Sequence, residues 1–405
     1  MRILFDLASA QPQGKMKING GGESSFIFFK NIFAARGIND IVDVALNSKL
    51  DDNHLIIKFC EENNVNIYKY DSLNAFSEMV NKTYDTLVLP VCYFSYCDLN
   101  ISDNVRIISV IHDLCDLFTY TRPTVKYGRY PRLDKIEFLG HFINRLISKN
   151  RIREIIEKNN RVIKINKNQE LITVTFYSKS TIIKYLDVSD EEKIPVVYTP
   201  EVHPDVKLTS DKEENVLNKY SLSHKKYFMM MAGCRWAKNN AFAIVTLDKM
   251  FSQDKYKHVL QDFKVIIIGT DEKYKKYFFK HVRNRERFLI EDYVDVETVD
   301  SLYKHAHALV FPSIVEGFGL PPIEALKYET VPLCSTAMSI PEVCGDAAIY
   351  FDPFDEKSLE LAILRSFDDL LMYSLRQNGK MRLKKLTDYR NTGMQKFIDI
   401  VYNNN

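Results

Sequence analysis

Glu316-Gly-Phe-Gly-Leu-Pro-Pro-Ile-Glu324 decides how this chain is read. It follows the apolar run Ala308-Leu-Val-Phe-Pro312, which has the character of a short buried strand. Pro321 and Pro322 suit the first turn of a helix, where an N–H would have no partner anyway. Gly317 and Gly319 let the backbone come close to a ligand. The helix start presents N–H groups and a positive dipole end to an anion. A strand, a glycine turn, a helix start and two placed acids together point to a phosphorylated, hydroxyl-rich ligand. Taken singly, Glu324 also reads as a first-turn acid favoured by the dipole, and Glu316 as a solvated loop residue.

Working outward, short apolar runs alternate with helical segments over the whole chain. In the second half the expected strands are Tyr227–Ala232, Phe263–Gly269, Phe288–Ile290, Ala308–Phe311 and Val331–Cys334. In the first half they are Arg2–Leu7, Ile41–Leu46, Asn66–Tyr70, Thr86–Val91, Val105–Ile111, Leu171–Thr175 and Pro195–Tyr198. Apolar runs of this kind predict parallel sheets with crossover helices, an α/β fold of two doubly wound halves. Ser24 or Ser25 is expected to cap a helix carrying Phe26, Phe29 and Phe33, with Gly37 as its stop. Ser178 or Ser180 is expected to start another helix. Residues 201–223 are polar and read as a linker. The predicted domains are 1–200 and 201–385, with a last helix of about Asn391–Tyr402 inside a C-terminal segment, 386–405, that joins the first domain.

The composition narrows the function classes. The chain has 405 residues, 46% apolar and 27% charged, with a net charge of +2. That suits two soluble domains and gives no overall argument for nucleic acid. The seven cysteines contain no C-x-x-C pair. With no secretory signal and no long apolar run, the expected setting is reducing and cytoplasmic. Asn19-Gly-Gly-Gly22 is a glycine-rich stretch suited to backbone approach, and it lacks the G-x-G-x-x-G spacing of a dinucleotide dehydrogenase.

The Glu-x7-Glu pair within E-G-F-G-L-P-P-I-E-A-L resembles the signature of glycosyltransferase family 4, retaining enzymes of GT-B fold. The resemblance implies two Rossmann-like domains facing across a cleft, the first on the acceptor side and the second holding a nucleotide-diphosphate sugar. It assigns Glu324 to the ribose hydroxyls. Glu316 and the backbone of Gly317, Phe318, Gly319 and Leu320 would position the donor sugar. Arg235 and Lys238, in Arg235-Trp-Ala-Lys238, would take the diphosphate, although their spacing of three departs from the familiar pattern. His112, in His112-Asp113, would face the donor sugar, Gly22 would approach phosphate or acceptor, and Tyr293 and Val294 would line the base. The C-terminal helix would cross back onto the first domain. The acceptor would be a glycan or a lipid-linked saccharide, in surface polysaccharide assembly. The chain has no D-x-D triplet, which fits a site needing neither metal nor other cofactor.

Residues 121–168 carry thirteen Lys and Arg against four Asp and Glu, interleaved with Tyr127, Tyr130, Phe138, Phe142, Ile143 and Leu146. This face suits peripheral contact with an anionic membrane or an acceptor on a lipid diphosphate. A solvated helical cover for the first sheet fits it equally, and no nucleic-acid motif accompanies it. The rival functions are a sugar-nucleotide epimerase or phosphorylase of the same fold, and a non-catalytic membrane- or glycan-binding scaffold.

Overall fold

Ile3, Leu4 and Phe5 of β1 (Arg2–Asp6) are fully buried, as are Leu87 and Val88 of β4 (Thr86–Leu89). Burial on both faces is what a parallel sheet flanked by helices demands. The computed structural model describes residues 1–12, 20–115, 117, 152–188, 193–202, 208–232 and 236–403. These residues fall into two units, one built from 1–120, 148–202 and 387–405, the other from 203–386.

The first unit holds a six-stranded parallel sheet. Besides β1 and β4 it contains β2 (Ile41–Asn47), β3 (Ile67–Tyr70), β5 (Arg106–Ile111) and β6 (Gln169–Thr173). The order is β3-β2-β1-β4-β5-β6, and Ile3 pairs with Val42 on one side and Thr86 on the other. The chain therefore reverses its direction of winding between β1 and β4. The second unit repeats the plan with β7 (Tyr227–Met231), β8 (Lys264–Ile268), β9 (Phe288–Ile290), β10 (Ala308–Phe311), β11 (Val331–Ser335) and β12 (Ile349–Phe351). Its order is β12-β11-β10-β7-β8-β9, so β7 and β10 flank the point of reversal. Open sheets bind ligands beyond the carboxyl ends of the strands at such a point.

Several local expectations need correction. The helix Gly20–Ala34 starts at the glycines, so Ser24 and Ser25 lie inside it and both hydroxyls donate to Gly21 O at 2.8 Å. It ends three residues before Gly37. Thr175, not Ser178 or Ser180, caps the helix Phe176–Tyr185, its side chain accepting from Ser178 N. The linker reading fails over Ser210–Lys219, which is a helix with no buried residue. Charge holds it to the helix Val296–His305: Glu213 pairs with Lys304 at 2.6 Å and with His305 at 2.9 Å.

The last helix runs from Asp369 to Tyr402, starting well before Asn391. Asp368 caps it, accepting from Leu371 N at 3.0 Å. Met372 and Leu375 join the core of the second unit. Farther along, Phe397 packs edge-on against Phe28 at 4.9 Å, Arg390 donates to Thr199 O at 2.9 Å, and Tyr402 donates to Ile32 O at 2.6 Å. Residues 387–402 thus dock on the first unit's own elements. At Gly379 the helix comes so close to Leu326 that an added Cβ would lie 2.9 Å from Leu326 Cδ2.

Candidate functional site

β7 and β10 are neighbours at the reversal point of the second sheet, and each feeds a turn followed by a helix. After β7 come the turn Trp236–Lys238 and the helix Asn240–Phe251. After β10 come the loop 312–319 and the helix Leu320–Lys327. Gly319 caps that second helix with φ +88° and ψ 70°, a left-handed conformation that a side chain would strain. Pro321 and Pro322 sit in the first turn as expected. Their missing N–H groups leave Gly319 and Leu320 to supply the backbone donors at the helix start.

The two turns are bonded to each other. Lys238 Nζ donates to Glu316 Oε1 at 2.7 Å, with both side chains nearly out of solvent. The ammonium also stands over the Phe311 ring, 5.2 Å from its centroid. Ala237 O accepts from Ile314 N at 2.8 Å and from Ser313 Oγ at 3.0 Å. Ser335 Oγ in turn donates to Ser313 O. Ser339, fully buried, donates to Glu316 O at 2.9 Å and Phe318 O at 3.3 Å, which fixes the glycine loop from behind. On the other flank Asn239 adopts φ 54°, ψ 24° and donates from Nδ2 to Pro353 O at 2.9 Å. Among the described residues, the buried oxygens Asn239 Oδ1 and Asn240 Oδ1 have no hydrogen-bond partner.

Glu324 is half-buried on the Leu320–Lys327 helix, and its Oε2 accepts from Tyr303 Oη at 3.1 Å. Glu316 and Glu324 therefore have different partners, a cation for the first and a buried phenol for the second. Tyr293 and Val294 are half-buried just past β9, the edge strand of the same sheet. Glu291 O, two residues earlier, accepts from both the backbone N and the hydroxyl of Thr270 at 3.0 Å. Arg235 lies outside the described residues.

In the first unit, His112 follows β5. Its Nε2 is 2.9 Å from Pro90 O, and a carbonyl only accepts, so Nε2 carries the proton. Burial lowers the His112 pKa, favouring the neutral ring with its lone pair on Nδ1. Its carbonyl accepts from Ser178 Oγ at 2.8 Å. Gly22 is buried in the first turn of the Gly20–Ala34 helix, so the glycine stretch is helical there and not an open loop. Asn19 and residues 121–151 lie outside the described residues. Within the rest of the basic segment, Lys158, Arg161, Lys164 and Lys167 pair with Glu154, Asp98, Asp187 and Asp103.

Asp6 ends β1 at the reversal point of the first sheet. It is buried, and accepts from Tyr96 Oη, from Tyr70 Oη at 3.3 Å and from Ala8 N at 3.1 Å. Burial pushes its carboxyl up to about 6, against the pull of those bonds. Sequence reasoning missed this network, and with it Ser313, Ser339, Asn239 and Tyr303. Asn239 alone carried a local signal, because Asn tolerates the left-handed turn. Among the described residues no group of three or more His, Cys, Asp or Glu could hold a metal ion, and no helix is long and apolar enough to cross a membrane.

Solved structures give the fold its wider setting. HepE of Anabaena, solved with UDP and glucose, superposes over 100% of both chains with a TM-score of 0.68 at 14% identity. WaaG, described as a glycosyltransferase involved in lipopolysaccharide biosynthesis, gives 0.65 over 99% of both chains at 14% identity. The fold is that of the GT-B glycosyltransferases. Among curated proteins, the O-antigen chain mannosyltransferase RfbU of Salmonella typhimurium is 30% identical over 208 residues, 49% of this chain and 51% of the relative. The serotype-specific mannosyltransferase WbdA of Escherichia coli is 22% identical over 92% of this chain and 44% of its own length. The chain thus spans about half the length of the curated relatives it matches. Residues 212–382, which carry Lys238, Glu316 and Glu324, match the family described as glycosyl transferases group 1.

Proposed function

We propose that this chain is a retaining glycosyltransferase of family 4 that moves a hexose from a nucleotide-diphosphate sugar to a glycan or lipid-linked acceptor in surface-polysaccharide assembly. The observation that carries the reading is the Lys238–Glu316 pair at the reversal point of the second sheet, inside the segment matched by the family. A diphosphate entering there competes with Glu316 for Lys238. The ammonium, the Gly319 and Leu320 N–H groups and the helix dipole take up charge as the diphosphate leaves. Glu316, once released, is an acceptor for sugar hydroxyls, and Glu324 an acceptor for those of the ribose. Arg235 is the second cation of this reading. The incoming hydroxyl approaches on the leaving-group face, and a phosphate oxygen takes its proton. The role of His112 is a separate proposal, for which His112→Ala lowers turnover without unfolding the chain.

No metal has a part in these steps, so transfer survives EDTA; a strict divalent-metal requirement would contradict the reading. The curated relatives are mannosyltransferases, which makes mannose the first sugar to try. The membrane face through 121–168 and a cytoplasmic location belong to the same proposal, and flotation with anionic liposomes tests the first. The deciding experiment is a thermal-shift screen of GDP-, UDP-, ADP- and dTDP-sugars, followed by NMR of the product anomer. No stabilisation by any of them, or an inverted anomer, would refute the reading.

A further inference from the structure

Tyr303 lies on the helix Val296–His305 and is completely buried. Its carbonyl accepts from Thr330 Oγ1 at 2.5 Å, and its ring stacks on Tyr328 with centroids 6.4 Å apart and planes 7° apart. Its hydroxyl donates to Glu324 Oε2 at 3.1 Å. Phe would fill the same volume, so packing alone does not call for Tyr here. A buried hydroxyl needs an acceptor, and a carboxylate is among the strongest. Burial, and then the charge of Glu324, raise the phenol well above its ordinary pKa, so it remains a donor throughout the working range. A glutamate on a helix has three side-chain torsions, and a fixed partner removes that freedom before a ligand arrives.

We infer that Tyr303 is a positioning residue: it holds the Glu324 carboxylate in the one orientation that accepts the hydroxyls of a nucleotide ribose. This rests on the reading of Glu324 as the ribose ligand. Tyr303 itself touches no ligand. Its effect is confined to ligands that carry the ribose hydroxyl, and this separates positioning from a general contribution to the fold.

The test uses the full chain and titration calorimetry with UDP, GDP and their 2′-deoxy counterparts. Wild type prefers the ribonucleotide. Tyr303→Phe reduces that preference about fivefold while leaving affinity for the 2′-deoxy nucleotide within about twofold. In the E324A background, Y303F changes the preference no further. Tyr328→Leu removes the ring neighbour but keeps the hydroxyl, and retains the preference. An unchanged preference in Y303F beside a lost one in E324A overturns the proposal, and so does loss of the preference in Y328L. An unchanged preference in E324A is a different result, since it removes the ribose reading itself and this inference with it.

Discussion

Lys238 Nζ stands 2.7 Å from Glu316 Oε1, and the two side chains keep 12% and 11% of their surface exposed. Two opposite charges this far from water are each other's main solvation. Breaking such a pair costs more than forming it gained, because it strands the surviving charge.

Lys238→Met therefore lowers stability by about 3 kcal/mol, and combining it with Glu316→Gln recovers much of that loss. Urea denaturation of the two single variants and the double variant measures the coupling. Strict additivity of the single losses would show that the two charges do not support each other. In activity assays, Glu316→Gln lowers transfer far more than nucleotide binding. Lys238→Ala weakens a nucleoside diphosphate far more than the nucleoside.

Ser339 supports the glycine loop by donating to Glu316 O and Phe318 O. Ser339→Ala leaves two buried carbonyls without that donor and costs about 1–2 kcal/mol. The loop then loosens ahead of the helix, so sugar transfer falls several-fold with nucleotide affinity little changed. Equal loss of both would make Ser339 a fold residue only.

Acid acts oppositely on the two units. Asp6 is raised to about 6 by burial, so the folded first unit holds its proton more tightly than the unfolded chain. That contribution is complete below about pH 4 and is lost as pH rises through about 6. His307, in the second unit, is lowered to about 4, chiefly by burial and then by the charge of Lys225. Its contribution is complete above about pH 6.5 and is lost as pH falls towards 4. Denaturation midpoints between pH 4 and 7 should steepen towards acid in Asp6→Asn and flatten in His307→Gln. No change of slope in either variant would contradict these assignments.

The frame of the candidate site was legible because local chemistry dictated it. Only glycine sits easily at the φ of Gly319, prolines fit a first helical turn, and apolar runs mark strands buried on both faces. Lys238 stood out by its place in the turn after a strand, and Glu316 and Glu324 by bracketing the glycine turn and the start of a helix. What stayed hidden depends on distant parts of the chain. Tyr303 lies 21 residues before Glu324, and Ser339 lies 23 after Glu316, with no pattern to connect them. The Ser210–Lys219 helix has no apolar stripe, because ion pairs hold it. The three-residue β12 is too short to show a periodicity. The last helix starts well before the expected Asn391, and Gly379 and Gly393 within it mark close packing against Leu326 and Val197.

Gly379 has a practical corollary. Leu326 sits two residues beyond Glu324 and is only 2% exposed, so it has little room to yield to a methyl group placed 2.9 Å away. G379A would press on the Leu326 side chain behind Glu324 while altering no polar group. Such a substitution is a natural choice for a temperature-sensitive allele, active at permissive growth temperature and silenced on warming.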